Sequence, residues 1–359
     1  MLKIYQKYII KNFLVKFITV SLVFLSLIYI MGILEEIKFF KDNNTNFFLP
    51  YLLTLLNVPI TLFETFPFIL FISTQLFLFD FFRNDELDLL KKSGVDNLKI
   101  IKIVILLSVL IGIFNVFIYY NFASKLKFYY SDIKNNFSKD NKYLAMVTES
   151  GLWIKDEIDG KKYIIKSNSI KDDFLFENII NEFNSDFELI RTIQANKIDI
   201  TTNNWLIYNP TTMIDNINEK IQGNMELSSN FNSEKIKNLF SNIASFDLFK
   251  LYELKEDFKK FGYSTDEINI QLLKLYTTPL LYGILSILSI VIVLNFTKNK
   301  PLLFHLICGV MLSVIIYYIN FIFNSLGING KIPLYSSVLF PFFLLTTVSF
   351  IGLLRINEK

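Results

Sequence analysis

Phe17 to Leu34 reads FITVSLVFLSLIYIMGIL, eighteen consecutive positions without a charged side chain. A hydrocarbon core about 30 Å thick needs about 20 apolar helical residues to cross it, and helices packed inside soluble proteins rarely stay uncharged that long. Five more blocks of this kind follow: Phe47 to Phe79, Ile103 to Ala123, Leu275 to Thr297, Leu302 to Leu326 and Ile332 to Leu354. The block from Phe47 is broken only by Glu64 and by Pro50, Pro59 and Pro67. At 33 residues it exceeds one span and barely makes two. A single tilted helix with an interfacial start near Pro50 is the simpler reading. The pattern predicts an α-helical membrane protein with six transmembrane helices.

Composition supports this. The 359 residues are 52% hydrophobic and 19% charged, with one Cys and one His. A soluble enzyme of this length would spread its apolar residues at helical or strand spacing through two or three domains. Cys308 has no partner for a disulfide within the chain, and His305 with Cys308 is too small a donor set for zinc or haem. A net charge of +3 does not suit a nucleic-acid binder, so no nucleic acid is expected among the partners. Only Arg83, Arg191 and Arg355 among the 36 basic residues are arginine, which we read, with the Ile and Asn excess, as compositional drift.

The basic residues orient the spans. Both termini and the loops at 80–102 and 298–301 share one side and hold thirteen: Lys3, Lys7, Lys11, Lys16, Arg83, Lys91, Lys92, Lys99, Lys102, Lys298, Lys300, Arg355 and Lys359. The short loops opposite hold three, Lys38, Lys41 and Lys331. Cytoplasmic loops carry the excess of Lys and Arg, so the termini are expected in the cytoplasm. The first apolar run is too long for a cleavable signal and ends in Gly32-Ile33-Leu34-Glu35-Glu36 rather than a small-residue cleavage site. Met1 to Lys16 alternates Lys with Tyr, Ile and Phe, as an interfacial amphipathic helix would.

Between the third and fourth spans, about 124–271, no run is long enough to cross, and three preceding spans place this insert on the far side. Tyr163-Ile164-Ile165 is β-branched and Phe187 to Ile200 is rich in strand formers. Ile198 and Ile200 alternate with polar neighbours, Asn203-Asn204 offers a turn, and Trp205 and Ile207 resume the alternation, which predicts a hairpin in an antiparallel β domain. Leu248, Leu251, Tyr252, Phe258 and Phe261 then fall on one helical face, closed by Gly262 and leading into span four. Three regions are expected: 1–123 with spans one to three, 124–271 as the β domain with a C-terminal linker helix, and 272–359 with spans four to six.

Groups for chemistry are scarce. No Gly-x-x-x-x-Gly-Lys phosphate loop occurs, and there is no Gly-x-Ser-x-Gly elbow. His305, inside span five, reads as a polar residue packed between helices. Cys308 reads as a small apolar filler. No cofactor is expected on the chain, and any energy must come from elsewhere. The most informative cytoplasmic stretch is Arg83-Asn84-Asp85-Glu86-Leu87-Asp88-Leu89-Leu90-Lys91-Lys92-Ser93-Gly94. Asn84 or Asp85 can cap a short helix over about 84–93, with acids in the first turn and lysines in the last, as the helix dipole favours. Leu87 and Leu90 share a face and Gly94 can close the end. Two readings stand: a surface helix lying on the membrane, or a coupling helix docking on a cytoplasmic motor. Glu64 lies where a charge costs about 2.5–3.5 kcal/mol on insertion scales. It must face a cavity, find a partner or be protonated, and no second intramembrane acid or base accompanies it. On the far side Glu35, Glu36, Lys38 and Lys41 cluster where span one leaves the membrane, and Lys125 and Lys127 where span three does. Such lysines either anchor at the interface or attract the anionic groups of an amphiphile.

Three spans, an extracytoplasmic β domain and three more spans resemble the lipopolysaccharide export permeases LptF and LptG. Asp85-Glu86-Leu87-Asp88-Leu89-Leu90-Lys91-Lys92-Ser93-Gly94 resembles their coupling segment, and Gly151-Leu152-Trp153-Ile154-Lys155-Asp156 the entry into their β domain. Pro59, Pro67, Ile332-Pro333 and Pro341 recur at similar spacing. Gly-Leu-Trp and the Pro333/Pro341 pair resemble LptG more than LptF. Gly32 and Phe39 stand where lysines can occur in the family, and Ile60 and Thr61 where charged residues are often found. The resemblance implies an inner-membrane subunit without its own ATP site, with termini cytoplasmic and a periplasmic jelly-roll-like β domain. It implies an LptF-like partner permease and two copies of an LptB-like ATPase, which bind ATP and Mg. It further implies that lipopolysaccharide passes to LptC and LptA bridge proteins. Asp85, Glu86, Leu87, Leu90 and Gly94 would form the coupling helix, with Glu86 as the coupling acid. Glu35 and Lys38 would match charged positions at the cavity mouth, beside Lys41. The paralogous LptF subunit and a non-transporting, force-transmitting scaffold are the alternatives.

Overall fold

A computed structural model describes residues 3–41, 46–135, 137, 152–158, 160–171, 173–214, 217–220, 223–240, 242–260, 264–296 and 301–357. Six of its helices are long and apolar enough to cross a membrane. α1 (Ile4–Phe40) and α2 (Leu49–Arg83) are each one unbroken helix. The third span is α4 (Asn97–Phe114), a π turn at Asn115–Tyr119 and α5 (Tyr120–Asn135) in continuous succession. The last three are α8 (Asp266–Phe296), α9 (Leu302–Ile328) and α10 (Leu334–Asn357). Between α2 and α4 lies the seven-residue α3 (Glu86–Lys92).

One expectation changes at the first span. The N-terminal residues do not form a separate interfacial helix; they are the first turns of α1. Ile9 and Phe13 are fully buried there, with the Phe13 ring 5.7 Å from Phe77 and edge-on to it. Alternating lysines suggested a surface helix, but Ile9 and Phe13 between them pack in one cluster with Phe77 and Phe81 of α2. The block from Phe47, by contrast, is one helix as expected, with Pro59 and Pro67 inside it and Pro50 in its first turn.

Close backbone approach holds the bundle together, as it does where lipid removes the hydrophobic drive between helices. A Cβ added at Gly112 of α4 would lie 2.6 Å from Pro279 Cα of α8. The Ser289 hydroxyl donates to the Phe71 carbonyl at 2.9 Å, joining α8 to α2. Lys16 of α1 pairs with Asp80 of α2.

The chain divides into two units. One comprises Met1–Tyr130, Phe246–Leu251 and Asp266–Lys359; the other comprises Ser131–Ser245 and Tyr252–Thr265. Among the described residues the second contains eight strands: β1 (Leu152–Ile158), β2 (Lys161–Lys171), β3 (Phe174–Phe183), β4 (Leu189–Asp199), β5 (Asn204–Tyr208), β6 (Thr211–Ile214), β7 (Ile217–Lys220) and β8 (Asn224–Ser228). They pair antiparallel in the order β1-β2-β3-β4-β5-β8, with β6 on β4 and β7 on β6. β4 is shared. Thr192 to Gln194 pair with β6 and Lys197 to Asp199 with β5. One sheet therefore splits and curls into a half-barrel. Its core includes Ile154, Ile165, Ile180, Ile193, Ile198 and Trp205, and the Trp205 indole donates to the Phe231 carbonyl at 2.8 Å.

The predicted hairpin is β4–β5, with Ile198 opposite Ile207; Phe187 falls outside it, in a turn at φ 62°. The row Asn168–Glu177–Asn196 was not foreseen. Ile165, Ile180 and Ile193 are buried on one side of it, and Leu175 and Ile198 on the other, one step out of alternation. Glu177 at φ 53° turns the pleat over, and side-chain direction has a strict period of two.

Next come α6 (Ser233–Phe240) and α7 (Leu248–Lys260). The buried face of α7 includes Leu248 and Leu251 as expected, joined by Leu254, while Tyr252 is exposed. Gly151, Phe261, Gly262, Lys298, Lys300 and Lys359 lie outside the described residues.

Candidate functional site

α2 ends at Arg83, and the chain reverses through Asp85 before entering α3. Asp85 occupies the N-cap position, but not as the sequence suggested: its side chain makes no capping hydrogen bond, and its backbone is left-handed at φ 55°. Asp tolerates that conformation better than most residues. The far end closes as expected. Gly94, at φ 79°, donates its N–H to the Lys91 carbonyl at 2.9 Å, and Val95 donates to the Leu90 carbonyl at 3.0 Å. These are the two hydrogen bonds of a Schellman ending, completed by an apolar residue beyond the glycine. The Lys99 ammonium donates to the Gly94 carbonyl at 3.0 Å.

α3 is held by one face. Leu87 and Val95 are buried in a cluster with Phe77, Phe81, Ile101 and Ile290, and Leu90 packs against it. Glu86 is half-buried, Lys91 and Lys92 fill the last turn, and Leu89 is 61% exposed. A large apolar side chain thus stands outward on an element keyed into the bundle. Asp85, Glu86, Leu87, Leu90 and Gly94 are brought together as one short helix with its turns.

At the other end of α1, Glu35, Lys38 and Lys41 are all exposed, and a spacing of three keeps them on one stripe. The sequence grouped Glu36 with them, but Glu36 is 2% exposed and accepts from the Tyr130 hydroxyl of α5 at 2.7 Å. The Lys127 ammonium donates to the Asn57 side-chain oxygen of α2 at 2.8 Å and lies 4.4 Å from the Tyr130 ring centre. Sequence reasoning missed this band across α1, α2 and α5. Its members are 70 and 94 residues apart in the chain, and no local spacing announces such pairs.

Glu64 is exposed on α2, and the charges acting on it are those of Lys127 and Lys274. Neither lysine lies within an apolar run, so the reading of no second intramembrane acid or base is unchanged, but two cations act on Glu64 from beyond the run ends. Both lysines sit just beyond the ends of their hydropathy runs, but α5 and α8 continue past those runs as helix. His305 is fully buried, with Phe79 and Phe304 ring centres each 5.8 Å away, as a packed residue should be. A cavity of about 450 Å³ opens between α1, α2 and α4, walled by Phe17, Leu25, Phe66, Leu110 and Phe114. Among the described residues no group of His, Cys, Asp and Glu is arranged to hold a metal.

Six spans, an inserted curled antiparallel sheet and a short helix keyed beneath the second span are the frame. Residues 7–355 match the family model described as lipopolysaccharide export system permease LptF/LptG. The chain belongs to the LptF/LptG family. Among individual curated proteins no match is found. The LptF/LptG match covers nearly the whole chain, both units included. As a family member the protein is a multi-pass membrane permease subunit of lipopolysaccharide export and not itself the ATPase of that system. Within this frame Trp153 of the Gly-Leu-Trp motif is half exposed on β1 while Leu152 and Ile154 enter the core. Asp156, which closes the quoted segment, accepts hydrogen bonds from the Ser229 hydroxyl and from the Asn230 backbone and side chain, tying β1 to the turn after β8.

Proposed function

We propose that this LptF/LptG permease is the LptG-type subunit of an inner-membrane exporter, with its termini cytoplasmic and its β domain periplasmic. It pairs with an LptF-like permease and is driven by two copies of an LptB-like ATPase that hold ATP and Mg. It hands lipopolysaccharide to LptC and LptA. The observation that carries the coupling reading is α3, fixed to the bundle through Leu87, Leu90 and Val95 while Leu89 faces outward. An element so built transmits displacement, because packed interfaces shift between discrete arrangements rather than deform smoothly. Glu86 at its N-terminus presents a carboxylate to a cationic partner group.

For the cargo, α1 and α9 are the least enclosed of the six spans. Their bare faces suit acyl chains and the partner permease, and Lys38 and Lys41 offer cations to phosphate groups at the mouth, with Glu35 setting the local charge balance. Gly-Leu-Trp and the Pro333/Pro341 pair support LptG over LptF.

Purification in mild detergent with untagged neighbours, followed by mass spectrometry of protein and lipid, tests the proposal. The expected result is an LptF-like permease, an ATPase and lipopolysaccharide in one complex. Recovery without any ATPase and with ordinary phospholipid alone would leave the force-transmitting scaffold as the better reading.

A further inference from the structure

The step in alternation at Asn168–Glu177–Asn196 leaves a polar hollow on the β domain. It measures about 610 Å³ and is lined from β2, β3, β4 and β5 by Lys166, Glu177, Gln194, Asn196, Lys197 and Tyr208, among others. That lies within the roughly 300–1,000 Å³ of ligand pockets. The row Lys166–Ile179–Gln194 points away from the core, since its neighbours Ile165, Ile180 and Ile193 are the buried ones.

Three observations set this hollow apart from an ordinary solvated sheet face. Two of the four non-glycine residues with positive φ among the described residues, Glu177 and Asn209 (φ 45°), line it; such outliers concentrate at binding sites. Asn178, also in the lining, shares the core-facing row of Ala195 and anchors the kinked backbone, its amide donating to the Leu175 and Ala195 carbonyls at 3.0 and 3.2 Å. The polar groups are held in place: the Asn168 amide donates to the Glu177 carboxylate at 2.5 Å. The Lys197 ammonium lies 3.7 Å from the Phe174 ring centre and 5.6 Å from that of Tyr208.

We propose that this hollow is a saccharide subsite for a sugar bearing one anionic group. Asn and Gln amides and the Glu177 carboxylate match hydroxyls, which both donate and accept. The Tyr208 ring offers an apolar face. Two lysines against one glutamate leave a single positive charge for a phosphate or carboxylate. The mostly polar lining does not suit an acyl chain, and a bare inorganic anion has no use for its amides. The inference rests on the export reading, for it assigns the sugar portion of the cargo to the face opposite the apolar core.

The test uses the full chain in detergent and titrates three probes calorimetrically: acyl-stripped, phosphate-bearing core oligosaccharide, the same oligosaccharide dephosphorylated, and glucose 1-phosphate. The phosphorylated oligosaccharide is expected to bind saturably, and Lys197→Gln and Asn196→Ala each to weaken it about tenfold, the equivalent of about 1.4 kcal/mol. Removing the phosphate should weaken it similarly. Equal binding of glucose 1-phosphate would still support the anionic-sugar subsite and identify free sugar phosphate as a source. No saturable binding of any probe, or binding unchanged in both variants, overturns it. Intact lipopolysaccharide retained by the same preparations reports on the export reading separately: its retention alongside unchanged titrations would sink the subsite alone. Asn196 is exposed and Lys197 half-buried, and circular dichroism of the variants confirms that the sheet is intact.

Discussion

Glu182 of β3 shows how a single buried charge is managed. Its side chain is 1% exposed, with the Lys161 ammonium at 2.8 Å and the Arg191 guanidinium alongside. Burial pushes the carboxyl up, but the hydrogen bonds and charges of Lys161 and Arg191 outweigh it and hold it below the usual carboxylate range. A depressed folded value means that the stabilisation is complete above the unfolded value of about 4.3. It is lost as pH falls through the lower folded value. The β domain should therefore lose stability in acid below about pH 4.3, and Glu182→Gln should flatten that loss. At neutral pH the same variant should cost about 1–3 kcal/mol, the worth of a hydrogen-bonded charge. Thermal melts of wild type and variant between neutral and acid pH check this; parallel curves would count against it. None of this was legible in sequence, because Glu182 faces Arg191 only through the β3–β4 register. The cations that act on Glu64, Lys127 of α5 and Lys274 of α8, likewise come from far along the chain.

At the scale of elements, α3 depends on its ending. Gly94 at φ 79° allows the two closing hydrogen bonds, and Gly94→Val should cost about 1–2 kcal/mol for a Cβ in the left-handed region. Hydrogen exchange over 86–95 is the measure: faster exchange is expected, and unchanged protection would contradict it. Gly112→Ala should cost about 1–3 kcal/mol of bundle stability by overpacking, since its new Cβ would meet Pro279 backbone at 2.6 Å; unaltered melting in detergent would refute that close approach. The six spans and α3 were legible because hydropathy and capping act over neighbouring residues. Gly94 announced its turn and the β4–β5 hairpin its alternation. On α7 the exposure of Tyr252 was not legible: it borders the stripe of Leu248 and Leu251, and tertiary packing extends that stripe through Leu254 instead. The pleat inversion at Glu177 was hidden for a related reason, since nothing near Glu177 in the chain demands a positive φ.

For the whole molecule, the orientation drawn from basic residues makes a direct prediction. In a Cys308→Ser background, Lys38→Cys should react with a membrane-impermeant thiol reagent on intact spheroplasts. Ser93→Cys should react only after the membrane is opened. The reverse pattern would invert the topology and with it the export direction. Both positions are exposed, so access reports the side of the membrane rather than burial. The family match fixes the molecule as a permease of lipopolysaccharide export, while the coupling role of α3 rests on the physics of its attachment. ATP-driven transfer of lipopolysaccharide from proteoliposomes holding the assembled complex tests that role most directly. Coupling between sites typically spans about 5–150-fold. The account predicts that a complex with Glu86→Ala and Leu89→Ala, assembled with its ATPase, transfers lipid at least about fivefold more slowly. Transfer at the wild-type rate by that assembled complex would contradict it.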